Sequence, residues 1–205
     1  MSVPADPRIY HITYVDNLAG MVRDGCLWSD AKRIERDCTS TSIGYSHIKD
    51  RRMRRPVPVA AHGMLGEYVP FYFCNRSVML YVIHKRQTEY QGGQGAVVHL
   101  VSTLNTARAT GRPWAFTDRH AELAHALYYD NLSHLNEVRL DVMDLTYWSE
   151  VREVRQAEFL VRDFLPWNAI LEVVAMTDEV AARVQGILAQ SAHKPGVAVR
   201  REWYY

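Results

Sequence analysis

Apolar positions in this chain recur in short runs of β-branched and aromatic residues, separated by polar stretches without a period. Residues 9–13 (IYHIT) predict a strand. Asp16 then caps a short helix in which Leu18, Met21 and Val22 share a face, and Gly25 suits the position just past its end. Residues 29–56 hold no sustained period and are rich in Ser, Thr, Arg and Asp, so they read as a long irregular segment with a helical turn over 49–55. Unstructured stretches of that length inside a domain are usually functional or mobile.

From Glu67 the pattern changes. YVPFYF and SVMLYVI, separated by Asn75 and Arg76, read as two strands or as a strand and a short helix. QGGQG (91–95) is a turn and 96–102 (AVVHLVS) a strand. Thr117 or Asp118 is expected to cap a helix reaching Tyr129, with Leu123 and Leu127 four apart. Residues 139–142 alternate like a strand, a polar stretch runs to Gln156, and 157–161 and 169–176 predict two more strands. Thr177 or Asp178 caps a helix with Val180, Val184, Ile187 and Leu188 on one face, stopped by Lys194-Pro195-Gly196, and VAVRREWYY closes the chain as a strand. Helices interrupt the strands irregularly, which favours α+β over a doubly wound parallel sheet. No repeat or linker divides residues 1–205, so one domain is expected.

Composition narrows the classes. With 205 residues, 48% apolar and 23% charged, the chain has ordinary globular make-up. Its apolar runs are too short for a membrane span and no signal peptide is evident, which with three cysteines lacking C-x-x-C spacing suggests a reduced, cytoplasmic protein. The net charge of +1 argues against coating nucleic acid by bulk electrostatics. That average hides a cluster: Lys49, Arg51, Arg52, Arg54 and Arg55 sit with a single acid, Asp50. Outside it 19 cations face 22 anions, a distribution suited to local capture of a short single strand.

Several chemistries lack their motifs. G-x-G-x-x-G after a strand, G-x-x-x-x-G-K-[ST], H-E-x-x-H and G-x-S-x-G are all missing. Nine histidines are scattered, and the one E-x-x-H pair, Glu122 and His125, lacks the second helix that a di-iron site needs, so no metal is expected. Three constellations remain. His11 lies mid-strand beside a capped helix, where it either faces a ligand or sits as a satisfied core histidine. The 49–55 cluster offers arginine forks for phosphate oxygens, with one arginine turned inward while its neighbours face out, or is a solvated basic turn. Glu158 stands at the mouth of a strand after a polar loop, a placement that suits a catalytic acid as well as an ordinary exposed carboxylate.

Taken in order, YHIT-x-x-DNL (10–18), IK-x-RR (48–52), G-x-YVPFYF (66–73), RS-x-ML (76–80) and R-x-AEFLV (155–161) resemble the DarT family of DNA ADP-ribosyltransferase toxins. One departure is Val78, where the family pattern has proline. The resemblance implies an ADP-ribosyltransferase fold, a split β-core with surrounding helices. It also implies NAD+ as co-substrate, transfer of ADP-ribose to thymine in single-stranded DNA, and a macrodomain antitoxin as partner. Glu158 and Arg51 would be catalytic, and His11, Thr13, Asn17 and Arg51 would hold NAD+. Tyr45, Lys49, Arg52, Arg54 and Arg55 would extend a DNA track from the 144–157 loop, where Tyr147, Trp148, Arg152 and Arg155 offer stacking and charge. His120 and Met79 are candidates for contact with the acceptor, and Glu158, His120 or Arg152 for removal of its proton. Rival readings are ADP-ribosyl transfer to protein or RNA, NAD glycohydrolysis, and a non-catalytic nucleic-acid-binding module in which Glu158 has no role.

Overall fold

The computed structural model describes residues 4–205. In chain order the strands and α-helices are β1 (Arg8–Tyr14), α1 (Asn17–Asp24), β2 (Cys26–Trp28), α2 (Asp30–Glu35), α3 (Ser46–Arg52), β3 (Tyr68–Tyr72), α4 (Val78–His84), β4 (Val97–Thr103), α5 (Leu104–Ala109), β5 (Trp114–Thr117), β6 (Tyr128–Tyr129), β7 (Glu158–Arg162), β8 (Phe164–Pro166), β9 (Glu172–Ala175), α6 (Asp178–Leu188) and β10 (Gly196–Val199). Eight strands form one sheet in the order β10-β9-β4-β1-β3-β7-β5-β6, antiparallel except for β10 against β9, while β2 and β8 pair separately. This is the α+β architecture that the element pattern predicts.

The sheet is split down its middle. β1 pairs with β4 along its whole length, from Arg8↔Thr103 to Tyr14↔Val97, but meets β3 at the single register position Tyr10↔Tyr72. Pro70 explains part of this. It has no N–H to offer β1, and its carbonyl accepts the His11 side chain at 2.8 Å instead of a ladder bond. On the far side β3 pairs fully with β7, which places Glu158 directly opposite Tyr72. The split therefore opens beside His11 on one half and Glu158 on the other.

Alternation along the strands supplies a core to each face. Ile9, Phe71, Leu100, Phe116 and Phe159 bury with α6 residues Ala181, Val184 and Leu188, while Tyr10, Ile12, Val97 and Val101 pack against Leu80, Ile83, Trp203 and Tyr204. His99 is fully buried on the second face and donates Nε2–H to the Asn75 carbonyl at 2.8 Å. Burial pushes its pKa down to about 4. The unfolded chain binds that proton from pH 6.5 downward, so stability is complete above pH 6.5 and falls as the pH drops toward 4. Acid titration of the unfolding midpoint is expected to show a loss approaching roughly 3 kcal/mol from this group, and His99→Gln a shallower slope.

Four local expectations are corrected. Residues 29–56 are not irregular throughout: Ser29 caps α2 through the Lys32 amide, and α3 holds the first part of the basic cluster. Residues 117–129 form no helix. Asp118 instead closes a loop, accepting from the Leu127 amide at 2.9 Å, and Leu127 is exposed while Leu123 is half-buried. Residues 139–142 form no strand: Leu140–Val142 make a single 3-10 turn, and Arg139 just before it pairs with Asp141. The last strand stops at Val199, and Arg201–Trp203 turn back to seat Trp203 and Tyr204 in the core. Ser77 caps α4 through the Leu80 amide, which decides between the two readings of SVMLYVI in favour of a helix.

Candidate active site

A cavity of about 200 Å³ lies at the split, lined among others by His11, Arg52, Tyr72, Met79, His120 and Glu158. Glu158, the first residue of β7, is only 1% exposed. Its Oε1 accepts from the Ala121 amide at 3.0 Å and from Arg52 Nη1 at 3.1 Å, and its Oε2 accepts from the same Nη1 at 2.9 Å. Burial opposes the charge on Arg52, but the Glu158 carboxylate holds the guanidinium protonated. The second nitrogen, Arg52 Nη2, is buried with no hydrogen-bond partner among the described residues. A buried cationic donor left open beside a cavity is expensive unless a ligand oxygen meets it.

The tautomers of two histidines follow from their neighbours. His11 Nδ1 must carry its proton to donate to the Pro70 carbonyl, which leaves Nε2 as an acceptor. Burial lowers the His11 pKa to about 4, so the ring is neutral across the physiological range. His120 Nδ1 accepts from the Glu122 amide at 3.3 Å, so the neutral ring carries its proton on Nε2. Burial lowers the His120 pKa, and the negative charge of Glu158 opposes that shift.

The other wall is loop 38–45, which the helix α1 holds in place. Asn17 donates Nδ2–H to the Thr41 carbonyl and accepts from the Thr41 amide, both at 2.9 Å, while also donating to Thr13 Oγ1 at 3.0 Å. Thr13, Asn17, Tyr45 and Lys49 all line the cavity. Lys49 and Arg33 converge on Asp30 at 3.2 and 3.0 Å. Burial pushes the Asp30 carboxyl up, but Lys49 and Arg33 outweigh it and hold the pKa below the ordinary value. Asp30, Arg33 and Tyr72 were not among the sequence candidates; the Ser29-Asp30 cap pair was the signal available for the first two.

The basic cluster is distributed differently from the sequence expectation. Arg51 does not enter the cavity: it is exposed and makes a bidentate pair with Glu122, Nε to Oε1 at 2.5 Å and Nη2 to Oε2 at 3.0 Å. Its neighbour Arg52, expected on a DNA track, is the buried partner of Glu158, because successive helical residues point about 100° apart. Arg55 donates to the Leu123 carbonyl at 2.6 Å, and Arg54 is exposed. Arg155 is 2% exposed and donates to the Val142, Leu145 and Arg76 carbonyls, so it organises the 142–148 loop from inside rather than meeting DNA. Trp148 packs edge-on against Tyr81 of α4 at 5.4 Å, whereas Tyr147 is 92% exposed and Arg152 also faces solvent.

A cavity at a sheet split, lined by a buried carboxylate, a guanidinium with one nitrogen unpartnered among the described residues and a histidine acceptor, can hold the hydroxyls and an anionic group of a ligand. Such a site belongs to the glycosyl-transfer class, where carboxylates hold sugar hydroxyls and cations hold phosphates. The chain belongs to the DarT family: its model, described as "ssDNA thymidine ADP-ribosyltransferase, DarT", matches residues 10–205. A DNA ADP-ribosyl transferase of Thermus aquaticus is 42% identical over 207 residues, covering 100% of this chain and 92% of that protein. The structure of Thermus sp. 2.9 DarT in complex with ADP-ribosylated ssDNA superposes with a TM-score of 0.95 at 41% identity, covering 100% of this chain and 99% of that one. The same Thermus enzyme in complex with NAD+ matches with a TM-score of 0.91 at 40% identity over 100% of both chains. No helix among the described residues is long and apolar enough to cross a membrane.

Proposed function

We propose that this chain transfers ADP-ribose from NAD+ to a thymine base in single-stranded DNA. The observation that carries the reading is the Arg52–Glu158 pair lining the cavity, with Arg52 Nη2 buried and without a partner among the described residues. The residues fit the dinucleotide: a carboxylate for a ribose hydroxyl, a guanidinium for an oxygen of the phosphates or ribose, and an imidazole acceptor for a second hydroxyl. When bound, NAD+ supplies the ribosyl carbon whose bond to nicotinamide breaks, the electron pair leaving with nicotinamide.

Among the described residues Glu158 Oε2 has one partner, Arg52 Nη1, and keeps a lone pair for the ribose hydroxyl next to the reacting carbon. There its charge opposes the positive charge that develops on the sugar. Arg52 holds the carboxylate in place through Nη1 and reaches the ligand through Nη2. His11 Nε2 accepts a hydrogen bond from a ligand hydroxyl, and Tyr72, whose pKa is pushed up by burial and by Glu158, stays a neutral phenol. The acceptor nitrogen of thymine loses a proton as its bond to the sugar forms. Glu158 is the base that suits this step, since His120 Nδ1 is occupied and Arg152 is a solvated cation. His120 then offers its Nε2–H to a carbonyl of the base.

Exposed Tyr147 and Arg152 are the proposed contacts for the flanking strand, Tyr147 by stacking and Arg152 by charge. Tyr147→Ala is expected to raise the oligonucleotide KM roughly fivefold or more and leave the NAD+ KM unchanged, read by steady-state kinetics on each substrate. The site acts where NAD+ and single-stranded DNA meet, so a cytoplasmic location follows, and the three free cysteines suit its reducing conditions. The activity is that of a toxin, and the partner is a macrodomain antitoxin that removes the mark.

The test is mass measurement of thymidine-containing single-stranded oligonucleotides after incubation with NAD+. An added ADP-ribose, absent when thymidine is replaced, supports the reading. NAD+ consumed without an adduct makes the chain a glycohydrolase or assigns it another acceptor. No consumption with any substrate overturns the enzyme reading.

A further inference from the structure

Two basic residues of the 49–55 cluster that miss the cavity, Arg51 in α3 and Arg55 just past its end, converge on one segment of chain. Arg51 grips Glu122 with both ends of its guanidinium, and Arg55 grips the next residue's carbonyl, Leu123 O, at 2.6 Å. Residues 119–127 contain neither α-helix nor strand. Their own ties are Thr117 Oγ1 donating to the Arg119 carbonyl at 2.6 Å, Tyr128 donating to the Ala121 carbonyl, the Asp118–Leu127 closure, and turns in which the Leu123 and Ala126 amides donate to the His120 and Leu123 carbonyls at 3.0 and 3.1 Å. On the outer flank Arg119 and His125 reach Glu153 at 3.6 and 3.2 Å, but Glu153 and His125 are more than half exposed and such pairs are weak.

This segment delivers two groups to the site, the Ala121 amide that donates to Glu158 and the His120 ring that lines the cavity. We infer that Arg51 of α3 and Arg55, three residues past its end, form a brace that positions the 119–127 segment, and through it the carboxylate of Glu158 and the ring of His120. Arg51 is then a positioning residue rather than a contact of NAD+ or DNA. The geometry gives α3 control of both donors to Glu158, directly through Arg52 and indirectly through the Ala121 amide. The inference rests on the transfer reaction proposed above.

Two measurements test it, one of which does not depend on catalysis. Arg51→Gln and Glu122→Gln are each expected to speed amide exchange in a peptide covering 119–127 several-fold, since the segment loses a bidentate tie. Each is also expected to lower kcat about three- to tenfold with the NAD+ KM within about twofold of wild type. The double variant should be no worse than the more affected single one, and exchanging the charges (Arg51→Glu with Glu122→Arg) should recover part of the loss. Unchanged exchange in both single variants overturns the brace. So does a rise in oligonucleotide KM with a shallower salt dependence in Arg51→Gln but not in Glu122→Gln, because that pattern marks a phosphate contact. If the wild-type protein forms no oligonucleotide adduct, the transfer reading fails while amide exchange still decides the brace.

Discussion

Replacing Glu158 by glutamine is expected to lower ADP-ribosyl transfer about a thousandfold, the scale seen when a group that stabilises developing charge is lost from a desolvated site. The amide keeps the shape of the side chain but cannot supply the charge or take a proton. The same substitution strands a buried guanidinium, since Arg52 Nη1 meets Glu158 and Nη2 meets nothing among the described residues. Unfolding stability should therefore fall by about 3–5 kcal/mol, the cost of removing one partner from a buried ion pair. The two effects separate in a second variant. Adding Arg52→Met to Glu158→Gln should return much of the stability in urea titrations and none of the activity, because the unpaired charge is gone but the chemistry is not restored. Retention of transfer by a folded Glu158→Gln protein would remove this residue from the mechanism.

Arg52→Lys and Arg51→Lys give the second large contrast. Lysine keeps one positive charge but has no planar fork, so at position 52 it cannot both hold Glu158 and reach a ligand oxygen. A loss of at least a hundredfold in kcat/KM for NAD+ is expected, of the order found when one well-placed donor is removed. At position 51 the substituted amine still faces Glu122 across an exposed pair, and the loss should stay within about threefold. Comparable losses in the two variants, read from adduct formation at varied NAD+, would contradict the division of roles between these neighbours.

That division is not written in the linear chain. The ordered motifs from Tyr10 to Val161 were sufficient for the family, and the β-branched and aromatic runs IYHIT, YVPFYF and AEFLV for the strands that carry His11 and Glu158. Local signals also sufficed where they were strong: Gly25 takes the left-handed position with φ 70° after α1, and Thr177 caps α6. They failed where side chains rather than propensity decide the path. Asp118 closes a loop with Leu127 in a stretch whose leucine spacing predicts a helix, and the 29–56 segment holds two short helices whose packing leaves no long period.

The sequence by itself determined the α+β class, the family, and the residue types of the site: a carboxylate at a strand end, a histidine mid-strand and a run of arginines. Only the tertiary structure decided which arginine meets the carboxylate. Arg51 and Arg52 are chemically alike and adjacent, and no property of the linear chain distinguishes them. Their directions differ by one step around a helix, and the register of α3 against β7 and the 119–127 segment sends one into the core and the other to Glu122. The same holds for Arg155, whose burial comes from carbonyls of residues 76, 142 and 145 that the fold gathers around it. Charge, hydrophobicity and motif order are properties of the chain, whereas pairing between distant residues exists only after strands and helices have packed.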